Sequence, residues 1–304
     1  MTFSFKQFLE SLLNESGNAV AQWVNGARAS ADEIKTALKF VAHHTGISFD
    51  ELSDGVLGST GHVLAGFKND SGDLDIAIPE GKYDIKELLD KMKEAVNGEA
   101  HFAPGLKTYS FAVPVSDKKK IQVDFMIVKS KEWAKFAYNT DPKTKYKGAV
   151  RNQIMFAIVT TKLEPGKDLV IKDDEGNIIA RASRSMKFDT GIERLFKVAK
   201  LKKDGTRKKN MDKVSPEELS MEIEKIDPKL KDQFEPAADA IIDPHLAVKW
   251  MFGDSVSPQD VNTAEKLIRV IRRVFSDGEA KEIFDQARKN LEEHNLEVPE
   301  ELND

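Results

Sequence analysis

The chain has 304 residues, 40% of them hydrophobic, with 46 Lys and Arg against 51 Asp and Glu for a formal net charge of −5. That length accommodates two domains with substantial cores, and the mild acidity argues against a protein that coats nucleic acid through bulk charge. The absence of cysteine excludes disulfides, zinc-thiolate sites and a catalytic thiol and agrees with a reducing cytoplasm; no stretch approaches the roughly eighteen apolar residues of a membrane span, and Met1 to Leu13 lacks the basic start and cleavage site of a secretory signal.

In chain order, Phe3, Phe5, Phe8, Leu9, Leu12 and Leu13 predict an amphipathic first helix. Ser30 is a good N-cap for a second helix over Ala31 to His44, with Ile34, Leu38 and Val41 on one face. Both are expected to pack on a sheet. Val56-Leu57 reads as a first strand, Asp73 to Ile78 as a second, Ile85 to Val96 as a helix, Thr108 to Val115 as a third strand and Ile121 to Val128 as a fourth. The last two strands read as a hairpin with Ser116 to Lys120 as its loop. Helices over Lys131 to Tyr138 and Lys147 to Thr161 complete this core, and Pro165-Gly166 marks a boundary.

Beyond it, Leu169-Val170-Ile171 and Ile178-Ile179-Ala180 flank the turn Asp173-Asp174-Glu175-Gly176-Asn177. After Thr190 the spacing of Ile192, Leu195, Phe196 and Val198 reads as helical. Ser215-Pro216-Glu217-Glu218 opens a capped helix, and Val261 to Phe275 and Glu279 to Asn290 supply two more. The expected organisation is α+β: N-terminal helices over residues 1–45, a mixed-sheet core over 46–165, and a mainly helical part over 166–304 carrying a small β-hairpin.

The chemistry lies in Gly58-Ser59, in Ser71-Gly72-Asp73-Leu74-Asp75-Ile76 and in Val123-Asp124-Phe125. Successive strand side chains alternate between faces, so Asp73 and Asp75 project from one face while Leu74 and Ile76 enter a core. Two adjacent carboxylates repel unless a cation lies between them, and hard divalent ions such as Mg2+ or Mn2+ prefer such oxygen ligands. Asp124, on a neighbouring apolar strand, would bring a third carboxylate, and three can hold two ions. Such a site suits phosphoryl or nucleotidyl transfer. Gly58-Ser59-Thr60-Gly61 offers backbone N–H groups and two hydroxyls for a triphosphate.

These motifs resemble the nucleotidyltransferase superfamily that includes polymerase β and the CCA-adding tRNA nucleotidyltransferases. Its pattern is an apolar residue with Gly-Ser, a short helix, apolar-Asp-x-Asp-apolar and then apolar-Asp-apolar. Leu57-Gly58-Ser59 opens it here, Leu74 and Ile76 frame the acidic pair, Val123-Asp124-Phe125 closes it, and the match runs from about residue 46 to 160. The resemblance implies a metal-dependent transfer of NMP from an NTP to an acceptor hydroxyl with release of pyrophosphate. Asp73 and Asp75 would ligate two Mg2+ ions, Asp124 the nucleophile-side ion, and Gly58 and Ser59 the triphosphate. It points first to an RNA 3′ end of tRNA type as acceptor. The base-selecting Glu-Asp-x-x-Arg pattern of the tRNA enzymes is missing, so transfer to a protein or small molecule, or a fold retained without turnover, stands beside it.

Further candidates for nucleotide binding are Thr60, His62 after the Gly-Ser turn, and Lys147, Arg151 and Asn152 at the start of the predicted Lys147 to Thr161 helix, where an N-terminus favours phosphate. Lys118-Lys119-Lys120, Lys143 with Lys145, and the Lys200 to Lys209 stretch are basic clusters that could meet RNA phosphates. His43 and His44 lack metal-ligand spacing, and Trp23, Trp133 and Trp250 are expected in cores rather than as base-stacking platforms.

Overall fold

A computed structural model describes residues 20–103, 107–162, 168–202, 205–208, 210–226, 229 and 240–303. The helix expected over Phe3 to Leu13, the Pro165-Gly166 boundary, and Lys203, Asp204 and Lys209 lie outside the described residues. Among the described residues the fold is α+β, with two four-stranded sheets, a two-stranded ladder and helices packed around them.

A short helix α1 (Ala21–Val24) precedes strand β1 (Ala29–Ser30) and helix α2 (Ala31–Thr45). Ser30 caps α2 reciprocally: its hydroxyl accepts the Glu33 N–H while the Glu33 carboxylate accepts the Ser30 N–H at 2.8 Å. Helices α3 (Phe49–Asp54) and α4 (Gly58–Leu64) lead to β2 (Asp70–Ser71), which runs antiparallel to β1. Val56-Leu57 forms no full strand. It makes an isolated bridge from Val56 to Ile76, with the Leu57 N–H donating to the Asp75 carbonyl, because the chain turns into α4 at once.

The first sheet contains β3 (Asp73–Pro79), β4 (Ala100–Ala103), β5 (Thr108–Ser116) and β6 (Lys119–Val128), in the order β3-β6-β5-β4, with α5 (Ile85–Ala95) between β3 and β4. It is mixed: β3 and β6 are parallel, the other pairs antiparallel. Strand β4 was not expected from its own sequence; it is an edge recruited by β5, with Phe102 stacked on Tyr109 at 4.0 Å. One face carries Leu74, Ile76, Ile78, Phe111, Val113, Val123, Phe125 and Ile127, packed under Ile34, Leu38 and Val41 of α2 and Leu88 and Met92 of α5. On the reverse face, Ala77, Met126 and Val128 are buried with residues of α6 (Lys131–Tyr138) and α7 (Gly148–Thr161). Asp73 and Asp75 of β3 and Gln122 and Asp124 of β6 share this reverse face, nearer the start of each strand, which sets the site beside this apolar layer.

Helix α7 buries Val150, Ile154, Met155, Ala157, Ile158 and Val159 in the main apolar cluster, along with the polar Arg151 and Gln153. The second sheet is antiparallel throughout, with β7 (Leu169–Lys172), β8 (Ile178–Lys187), β9 (Gly191–Val198) and β10 (Asp212–Lys213) in chain order. The helical reading after Thr190 is corrected: Ile192, Arg194, Phe196 and Val198 alternate inward from a strand. A buried arginine interrupts the apolar face, and it is tolerated because Arg194 Nη1 lies 2.5 Å from the Asp168 carboxylate. The C-terminal part therefore carries a four-stranded sheet instead of a small hairpin.

Helix α8 (Pro216–Ile226), capped by Ser215 as expected, covers Phe196 and Val198 with Leu219 and Ile223. Helices α9 (Pro244–Phe252), α10 (Ala264–Val274) and α11 (Asp277–Glu293) pack around α7. The helix expected to start at Val261 starts instead at Ala264, because Thr263 accepts the Lys266 N–H as N-cap. A single apolar cluster joins the first sheet, α6, α7, the β8–β9 end and α9 to α11.

Candidate metal centre

Parallel pairing of β3 with β6 sets Asp75 opposite Asp124, and Asp73 follows on the same face two residues earlier. Oxygens from Asp73, Asp75 and Asp124 all lie within 4.8 Å of one another, so the three residues could hold a metal ion. Asp124 is fully buried; Gln122 Nε2 donates to its Oδ2 at 2.9 Å, and Ser110, its register partner on β5, also hydrogen-bonds the carboxylate. Its Oδ1 has no hydrogen-bond partner among the described residues.

Electrostatics make this arrangement costly without a cation. Burial, then the charge of Asp73, pushes Asp124 up to about 7. Asp75 lies well above the usual carboxylate range through burial and repulsion from Asp73 and Asp124. Asp73 is also raised by burial, against the opposing pull of Arg28. An orphaned buried oxygen amid three repelling carboxylates fits a hard divalent cation, whose charge would remove both the repulsion and the unsatisfied acceptor.

The Gly58-Ser59 turn stands against this cluster. Gly58 has φ +60°, and a Cβ there would lie 3.8 Å from Asp75 Oδ2. Its N–H donates to Asn139 Oδ1 at 2.8 Å. Ser59 Oγ is 2.7 Å from Ser71 Oγ, while the buried Thr60 hydroxyl donates to the Asp73 carbonyl at 2.7 Å. Thr60 therefore ties the turn to β3 instead of facing a ligand. His62 Nε2 donates to the Thr140 carbonyl at 2.8 Å, which ties that nitrogen to the fold, while its buried Nδ1 has no hydrogen-bond partner among the described residues.

Arg151 departs furthest from expectation. It is fully buried, donates to the Val261 carbonyl at 2.6 Å and the Phe136 carbonyl at 2.8 Å, and stacks over the Phe136 ring. It is an interior link between helices, with burial lowering it to about 9, and it cannot serve as an exposed phosphate ligand. Asn152 is partly buried, its Oδ1 unpartnered among the described residues, and Lys147 is the exposed N-cap residue of α7. Many of the clustered lysines meet acids: Lys119 with Glu33, Lys120 with Glu99, Lys145 with Glu301, Lys200 with Glu218 and Lys208 with Asp212. Arg207 donates to the Ala199 carbonyl, and Lys118 is exposed on the β5–β6 turn. Trp133 is fully buried and Trp250 packs against the main core, whereas Trp23 packs on Val20, Val24 and Ala112.

Sequence reasoning missed several neighbours of the carboxylates. Tyr138, at the end of α6, has a buried hydroxyl without a hydrogen-bond partner among the described residues, raised strongly by burial and by the fields of Asp75, Asp189, Asp124 and Asp73. Its ring meets Phe188 edge-on at 5.2 Å. The adjacent Asp189, on the β8–β9 turn, is itself raised by burial, and its carbonyl accepts the Lys129 N–H. A fourth acid thus reaches this region from the second sheet. The signal for Tyr138 was its position after an amphipathic helix beside Asn139; nothing local marked Asp189.

Comparison of the chain with protein-family models, curated proteins and solved structures finds no match.

Proposed function

We propose that the protein is a metal-dependent nucleotidyltransferase that transfers NMP from an NTP to an acceptor hydroxyl and releases pyrophosphate. The observation that carries this reading is the in-register pairing of Asp75 with Asp124, with Asp73 beside them and oxygens of all three within 4.8 Å. Asp73 and Asp75 would hold two Mg2+ or Mn2+ ions, with Asp124 completing the set on the acceptor side. When bound, such ions lower the pKa of an attacking hydroxyl and stabilise the charge on the phosphorus oxygens and leaving group.

The chain's own residues supply orientation. The Ser59 hydroxyl, held by Ser71, would be offered to the phosphates, and Gly58 keeps side-chain atoms away from the path beside Asp75. The Asn139 amide fixes that turn by accepting the Gly58 N–H. Ala77, Met126 and Val128, buried on the same face as the acids, would keep water from that side of the site.

An RNA 3′ end is the first acceptor class for the test. Transfer to a protein or small-molecule hydroxyl is a second reading, favoured by the ion pairs that match Lys119, Lys120, Lys200 and Lys208 to local acids and so remove much of the basic surface an RNA would need. The experiment is incorporation of label from each α-32P NTP, with Mg2+ or Mn2+, into RNA, DNA and protein by wild type and Asp73→Ala. Label that disappears in the variant supports the reaction, and the labelled pool names the acceptor. Equal labelling by both proteins would refute it.

A further inference from the structure

We infer that Arg28 binds the polyphosphate tail of the nucleotide, an assignment that rests on reading the acid cluster as a nucleotidyltransferase site. The β1–β2 ladder pairs Ala29 with Ser71 and Ser30 with Asp70, so Arg28, the residue before β1, stands level with Gly72. Gly72 separates Ser71, whose hydroxyl contacts Ser59 and Thr60, from Asp73 of the acid cluster. Arg28 Nη1 lies 3.7 Å from where a Cβ on Gly72 would be. The guanidinium thus rests at the junction between the Gly58-Ser59 turn and the carboxylates.

The side chain is built to be held and still to bind. Arg28 Nε donates to Asp70 Oδ1 at 2.8 Å, which fixes the plane of the guanidinium. Both Nη groups are left without a protein acceptor among the described residues, and the side chain is 60% exposed. Its field reaches Asp73, yet it makes no ion pair with that carboxylate. A planar fork of donors, anchored at one edge and open at the other, matches phosphate oxygens.

The setting narrows the ligand. An anion alone would be repelled by Asp73, Asp75 and Asp124, and a divalent ion alone would answer those acids but leave the Arg28 guanidinium without an anion. A polyphosphate carrying divalent ions satisfies both, with the ions toward the acids and the outer phosphate oxygens toward Arg28. A nucleoside monophosphate lacks the extra phosphates that would reach this rim. Arg28 therefore separates NTP from NMP.

The test is calorimetric binding of ATP and of AMP, in Mn2+, to wild type, Arg28→Ala, Arg28→Lys and Asp70→Ala, with the melting temperature of each as a folding check. Loss of one or two charge-assisted hydrogen bonds should weaken ATP about tenfold to a hundredfold in Arg28→Ala, with AMP unchanged and Arg28→Lys in between. Asp70→Ala, which breaks the same ion pair but keeps the guanidinium, should lose less ATP affinity than Arg28→Ala. ATP binding unchanged in Arg28→Ala, or an equal loss in Asp70→Ala, would overturn the assignment while leaving the site reading intact. Failure of wild type to bind ATP with Mn2+ would overturn both.

Discussion

The two four-stranded sheets both bury charge, and they treat it oppositely. In the second sheet, Arg194 meets Asp168 at 2.5 Å with the two side chains 1% and 0% exposed, and Arg184 lies over the Trp250 ring. In the first, Asp73, Asp75 and Asp124 are gathered face to face with no ion pair between any of them and a described cation, and Asp124 keeps an oxygen without a partner among the described residues. A matched pair needs nothing from outside and serves the fold. An unmatched cluster of one sign is maintained against its own repulsion, and a ligand of the opposite sign is what makes it tolerable.

Removing acids is the strongest way to break that contrast. Asp73→Ala with Asp75→Ala is expected to lower the proposed nucleotidyl transfer by on the order of a thousandfold or more, since each ion would contribute several kcal/mol to the transition state; the metal-free variant should melt no lower than wild type, because repulsion is relieved. In the second sheet the same operation has the reverse effect on folding. Asp168→Ala would strand a buried Arg194 and cost about 3–5 kcal/mol, read by urea denaturation at pH 7. Equal responses of the two sheets would remove the distinction.

Proton linkage sharpens it further. Asp124 is raised from 3.8 to about 7 in the fold, so the native state binds a proton that the unfolded chain has already released. Stability of the metal-free protein should therefore be highest on the acid side of this window and fall as pH rises from about 4 toward 7, by up to about 4 kcal/mol for this group. Mn2+ should flatten the slope, and melting curves with EDTA and with Mn2+ across pH 5 to 8 would measure it. Smaller still is Gly58→Ala: the site has room, but φ +60° imposes strain of about 1–2 kcal/mol. Ser30→Ala, remote from the acids, should cost about 1 kcal/mol through loss of the α2 cap and leave metal affinity unchanged.

The same contrast explains what could be read in advance. Asp-x-Asp within an apolar strand and Asp124 within another announce their positions through period-two alternation, and the local cap at Ser30 fixes α2. Strand β9 was misread because Arg194 looks like a solvent position until Asp168, distant in sequence, is known to neutralise it. Arg151 was misread for a related reason: the carbonyls of Phe136 and Val261 that bury it come from other elements. Asn139, Tyr138 and Asp189 reach the site only through tertiary packing, and Arg28 only through the β1–β2 ladder. Local pattern reveals side chains that face a core; long-range pairing decides which charges are satisfied.

The most direct measurement is Mn2+ binding by isothermal calorimetry to wild type, Asp75→Asn and Asp168→Asn at pH 7.5. The unmatched cluster predicts Mn2+ binding to wild type, its loss in Asp75→Asn, which keeps the shape and removes the charge, and its retention in whatever fraction of Asp168→Asn is folded. Wild type without Mn2+ binding, or Asp75→Asn binding it as tightly as wild type, would contradict the account.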